Sequence, residues 1–102
     1  MNTPTLSHLQ FAVLDCIGGR EMKGRDLRQR MKDEKGISKA GPAFYQLMGR
    51  MEEGGLVKSK VEDIELGENR LKQKIYWITG EGAKAVHRSK TYYGVHHEVA
   101  TH

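Results

Sequence analysis

Apolar side chains recur along most of this chain at helical spacing, and the runs break at glycines. Leu9, Val13, Cys16 and Ile17 form a first stripe, with Leu14 widening it, which predicts a helix with one apolar side. Ser7 stands where an N-cap belongs and Gln10, three residues on, completes a capping box. Leu6 and Phe11 are spaced for a hydrophobic staple. Gly18-Gly19 closes this helix. A narrower stripe, Leu27 and Met31 at i, i+4, predicts a second helix from about Arg25 to about Lys35; its other positions are densely charged, and Gly36 ends it. The third run is the clearest: Phe44, Leu47, Met48 and Met51 recur at i, i+3, i+4 and i+7. Pro42 suits its first turn, and Gly54-Gly55 suits its end.

The period then changes to two. Leu56–Glu62 and Leu71–Ile78 read as strands, and Gly67-Glu68-Asn69 supplies turn residues between them. These predict a β-hairpin with a long acidic tip running from Glu62 to Glu68. Arg20–Lys23 is short enough to be a single extended link that pairs later with a sheet edge. Thr79 caps a last helix, Ala83–Tyr93, with Ala83, Val86 and Tyr93 on one side and Gly94 at its end. Residues 1–5 look frayed, and 95–102 carry no pattern.

The outward side of the third helix holds Pro42, Gln46, Gly49 and Glu53, with Tyr45 and Arg50 on its flanks. A glycine inside an exposed helix costs roughly 1 kcal/mol against alanine. A helix without a side chain at Gly49 lets a second backbone, such as the edge of a DNA duplex, come close; the alternative is an ordinary surface helix.

Composition sharpens this only through its distribution. The chain has 102 residues, one domain's worth, with 17 basic and 13 acidic side chains; so mild an excess says little. Residues 20–50, however, hold nine basic against four acidic, and residues 51–70 hold three against six. The cationic part contains the third helix, which favours a polyanionic partner there. The single cysteine, Cys16, lies on an apolar stripe and reads as a buried, inert thiol. No apolar run approaches the roughly 20 residues that span a bilayer, and the start lacks a signal-peptide layout, so the cytoplasm is the expected compartment. Neither a P-loop nor a nucleophile elbow is present, and catalysis is not expected. His96-His97-Glu98 with His102 invites a metal reading but lacks ligand spacing; neither metal nor cofactor is expected.

Helix, extended link, helix, helix, hairpin, helix is the order of a winged helix-turn-helix: mainly α within an α+β class, a three-helix core plus a two- or three-stranded wing and a C-terminal helix. The sequence resembles the PadR-like transcriptional regulators over roughly residues 6–86. The likeness is carried by Gln10-Phe11-Ala12-Val13-Leu14, Gly24-Arg25-Asp26-Leu27, Tyr45, Met48, Met51-Glu52-Glu53, Gly55-Leu56-Val57 and Tyr76-Trp77-Ile78-Thr79-Gly80-Glu81-Gly82. The family's leucines in the third helix are methionines here, and the wing loop is acidic where a phosphate-touching wing would be basic.

The resemblance implies a repressor of transcription that puts its third helix in the major groove of double-stranded DNA. Lys39 and Arg50 would then meet phosphate or guanine, Gln46 adenine, and Tyr45 a phosphate oxygen. Lys23, Arg25 and Arg28 would clamp the backbone. Lys58, Lys60, Lys72 and Lys74 in the strand stems would make a basic stripe beneath the acidic tip. It implies residues 1–80 as the DNA-binding domain, 81–94 as a dimerisation helix and 95–102 as a tail. Homodimerisation would run through the first and last helices, with Leu6, Val86 and Tyr93 at the seam or, alternatively, packed within one subunit. An apolar small-molecule effector between subunits would meet Trp77 or Tyr92. The competing reading is a winged-helix module that binds protein through its acidic hairpin and has no DNA role.

Overall fold

The computed structural model describes residues 6–101, and the side chains of residues 6–90. The elements follow as α1 (His8–Ile17), β1 (Met22–Lys23), α2 (Gly24–Lys35), α3 (Gly41–Glu53), β2 (Val57–Leu66), β3 (Asn69–Ile78) and α4 (Gly80–Thr101). The three strands form one antiparallel sheet in the order β1-β3-β2. The extended link pairs as expected, Met22 opposite Tyr76 and Lys23 opposite Ile75. This is a winged helix with a three-stranded wing, in the α+β class.

Local signals explain most boundaries. The Ser7 hydroxyl accepts the Gln10 backbone N–H and the Gln10 side-chain Oε1 accepts the Ser7 N–H, both at 3.1 Å, so the capping box satisfies two amides at the start of α1. Gly36 turns left-handed at φ +67°. Its N–H and that of Ile37 reach back to Lys32 and Met31 carbonyls at 3.1 Å, which closes α2.

Helices α1–α3 and the sheet base enclose one core. Val13, Leu14, Ile17, Leu27, Met31, Phe44, Met48, Met51, Val57 and Tyr76 are all buried in it. Each fully buried side chain of α3 contributes about 1.5–3 kcal/mol. Phe44, Met48 and Met51 together therefore outweigh the cost of Gly49 and decide which way α3 faces.

Among the described glycines, the one with least room for a side chain lies where α4 begins. The Thr79 hydroxyl donates to the Gly55 carbonyl at 2.6 Å and accepts the Gly82 N–H at 2.9 Å. It thereby ties the end of α3 to the first turn of α4. A Cβ on Gly82 would come 2.2 Å from the Leu56 carbonyl oxygen, so only glycine fits there.

Three expectations are corrected. The hairpin has no long acidic tip: β2 and β3 continue to Leu66 and Asn69 around a two-residue turn, Gly67-Glu68. Gly67 has φ +64°, and no described non-glycine residue has a positive φ, the sign pattern of a type II′ hairpin turn. Asp63 stands opposite Lys72 and Glu65 opposite Arg70, so opposite charges support pairing where the sequence looked like loop. Second, α4 runs through Gly94 to Thr101. One glycine costs a helix only about 1 kcal/mol, and no proline follows to stop it. Third, Leu6 is 5% exposed and packs in the subunit's own core, where its N–H donates to the buried Ser89 hydroxyl at 3.1 Å.

Candidate nucleic-acid interface

With its apolar side turned inward, α3 leaves Tyr45, Gln46 and Arg50 exposed, and an added Cβ on Gly49 would meet nothing within 4 Å. Tyr45 is 43% exposed yet well braced. Its ring meets Phe44 edge-on, centroids 5.0 Å apart. It also covers Gly24, where a Cβ would come 3.0 Å from the Tyr45 hydroxyl and 3.3 Å from the Tyr76 ring. Gly24 thus lets the start of α2 slide beneath Tyr45. Behind it, burial pushes the Tyr76 hydroxyl up to about 12, with Tyr45 and Glu52 adding smaller contributions.

One cleft adjoins this face at Tyr45, and a second lies on α2 and the turn before α3. The first, of about 420 Å³, is lined by Arg25, Tyr45, Leu71, Lys72 and Lys74 among others, and joins the start of α2, the flank of α3 and the wing. The other, of about 300 Å³, is lined by Arg25, Arg28, Gln29, Lys32, Ser38 and Lys39. Arg25 belongs to both. Eight of the nine residues assigned to DNA from the sequence alone, Arg25, Arg28, Lys39, Tyr45, Gln46, Arg50, Lys72 and Lys74, lie on α3's outward face or line one of these clefts. Lys23 is exposed on β1 opposite Ile75, and neither cleft includes it. Arg28 is already engaged: its Nε donates to the Lys39 carbonyl at 2.6 Å.

Gln29, Lys32 and Ser38 escaped the sequence reading. Arg25, Arg28, Gln29 and Lys32 fall at i, i+3, i+4 and i+7, so the period that located the apolar stripes also carried this polar one.

Neither a family model nor a curated protein matches the sequence. Solved structures do. A PadR family transcription regulator from hypervirulent Clostridium difficile R20291 superposes with a TM-score of 0.77 at 18% identity, over 93% of this chain and 96% of that one. A PadR family transcriptional regulator from Eggerthella lenta DSM 2243 gives 0.71 at 25% identity, over 91% and 78%. Bacillus subtilis PadR, solved in complex with operator DNA, gives 0.67 at 23% identity, over 79% of this chain and 45% of that one. The chain has the PadR-like fold.

Within that PadR-like frame the wing differs from expectation. Register places Lys58 and Lys60 on one face of the hairpin, opposite Trp77 and Ile75, and Lys72 and Lys74 on the other, opposite Asp63 and Val61. The four lysines do not form one stripe. Lys60 pairs with Glu21 at 3.0 Å and lies 6.0 Å over the Trp77 ring, whereas Lys72 and Lys74 line the cleft beside α3. The wing's acids are spread along β2, where Glu65 pairs with Arg70 at 3.5 Å and Glu62 accepts from Gln73 at 3.4 Å.

On the side of α1 and α4, a groove of about 500 Å³ is lined by Leu14, Trp77, Ile78, Ala83 and Val86 among others. Val86 is half-buried against the core beneath it. The side chains of Tyr92, Tyr93, His96, His97, Glu98 and His102 lie outside the described residues. Among the described residues no cluster of three or more His, Cys, Asp or Glu could hold a metal, and no helix is long and apolar enough to cross a membrane. Cys16 is buried, and burial pushes its thiol up, away from reactivity.

Proposed function

We propose that this chain is a transcriptional regulator, acting in the cytoplasm as a repressor, that binds double-stranded DNA and reads its major groove with α3. One observation carries the reading: Tyr45, Gln46, Gly49 and Arg50 form an outward face uncovered by the subunit itself, and Tyr45 continues it into a cleft lined by Arg25, Lys72 and Lys74. A helix fits the major groove, and Gln46 and Arg50 are residue types that pair with adenine and guanine edges. Arg25, Lys39, Lys72 and Lys74, with Lys23 at the margin, would neutralise phosphates on either side. The operator complex of a PadR neighbour supports the same partner.

A homodimer joined through α4 would present two copies of α3, and its half-sites would lie about 34–36 Å apart, one duplex turn. An apolar effector would find Trp77 and Val86 in the groove beside α1. The competing protein-binding role leaned on an isolated acidic tip. Those acids instead lie along β2 opposite Arg70, Lys72 and Gln73, which weakens it.

The test is binding to mixed duplex DNA across a salt series. Affinity is expected to fall linearly on a log–log plot as salt rises. Gln46→Ala and Arg50→Ala should each weaken binding by about 1–3 kcal/mol while leaving urea stability within about 0.5 kcal/mol of the parent. Absent or salt-independent binding favours the protein-interaction role, and a loss of stability in either variant means that α3 faces the other way.

A further inference from the structure

Among the cations beside α3, Arg28 stands apart because its Nε is engaged by the protein's own backbone. Its Nε donates to the Lys39 carbonyl at 2.6 Å, the short end of charge-assisted hydrogen bonds. The segment it grips needs a grip. Backbone hydrogen bonding stops at the Ile37 N–H to Met31 carbonyl bond and resumes with the Phe44 N–H to the Ala40 carbonyl. Ala40, the N-cap of α3, provides no side-chain hydrogen bond. A helix whose start lacks a cap relies on neighbouring groups to set its direction. Among the described residues, Arg28 is joined by Pro42 in the first turn, by buried Phe44 and by Ile37, which packs against the core. The guanidinium also lies near the first residue of α3, where a Cβ on Gly41 would be 3.8 Å from Arg28 Nη1.

We infer that Arg28 is a positioning residue: through the Lys39 carbonyl it sets where and at what angle α3 leaves the turn, and so where Gln46 and Arg50 meet the duplex. This rests on the DNA-binding reading above and reassigns Arg28 from phosphate clamp to brace. The remaining cations of its cleft, Arg25, Lys32 and Lys39, are then the ones that carry phosphate charge.

Two substitutions separate brace from clamp because they keep opposite halves of the side chain's chemistry. Arg28→Gln removes the charge but puts an amide nitrogen donor at the position of Nε. Arg28→Lys keeps the charge but puts a methylene there. The expected result is near-parental affinity for Arg28→Gln and about a tenfold loss for Arg28→Lys and Arg28→Ala. In all three the log–log salt slope should stay close to the parent's. Arg25→Ala should flatten it by about one phosphate's worth.

A second readout needs no DNA: the Lys39 carbonyl-carbon NMR resonance of the free protein should move in Arg28→Ala and Arg28→Lys and hold in Arg28→Gln. Affinity kept by Arg28→Lys and lost by Arg28→Gln overturns the inference. So does a Lys39 resonance indifferent to Arg28→Ala. Failure of the parent to bind any duplex counts against the proposed function instead, and the resonance still decides the brace.

Discussion

Replacing Gly49 with alanine tests orientation and function in one variant. Gly49 sits in the interior of α3, where an added Cβ would meet nothing within 4 Å. The methyl therefore has room, and the helix gains the propensity difference of about 0.8–1 kcal/mol. For a domain of this size that raises the melting temperature by about 4–8 °C, measurable by thermal unfolding with a urea series for confirmation. The same methyl projects from the face between Tyr45 and Arg50. If a duplex edge packs there, the added volume costs about 1–3 kcal/mol, as overfilling a close contact does, which is roughly one to two powers of ten in affinity. The expected outcome is thus a more stable protein that binds DNA less well, an uncommon pairing because most weakened binders are also weakened folds. A destabilised Gly49→Ala would refute the placement of this residue at an open surface. Unchanged affinity would refute close approach at this face and leave Gly49 without a functional reason.

The neighbouring glycine question has the opposite answer. Gly82→Ala should destabilise by about 3 kcal/mol, the upper end for overpacking, because its methyl would stand 2.2 Å from the Leu56 carbonyl oxygen and 2.8 Å from Ile78 Cγ2; a urea midpoint like the parent's would show that α4 can shift freely. Tyr76, held neutral by burial up to about 12, contributes stability that is fully present below about pH 10, the unfolded value. It is lost as pH rises toward 12, at about 1.4 kcal/mol per pH unit, because the unfolded chain releases a proton that the folded one keeps. Urea unfolding between pH 9 and 12 should show this loss in the parent and a shallower one in Tyr76→Phe; parallel curves would mean that the hydroxyl reaches solvent.

Whatever depended on near neighbours was legible from the residues in order. The Ser7–Gln10 box, the glycine stops after α1 and α2, and the apolar stripe Phe44-Met48-Met51 rest on contacts within a few positions, where spacing is a direct record of geometry. That stripe also settled which face of α3 is left outward, since burial of three large side chains overrides every weaker preference along the helix.

The wing was misread because its pairing is non-local. Glu62, Asp63 and Glu65 look like loop residues until Gln73, Lys72 and Arg70 are brought across from them, and the split of the four lysines between two faces is a property of register alone. The site itself was likewise assembled by tertiary packing. Arg25, Tyr45 and Lys74 come from three elements and meet only because Gly24 lets α2 pass beneath an aromatic ring. Arg28 became a brace because folding brought a backbone carbonyl within its reach. Sequence by itself determined the first three helices, their ends and their inward faces, whose energies are local, but not where α4 ends. Only the folded chain decided which charges are spent on the protein and which remain for a partner, because that depends on distances between segments far apart in the chain.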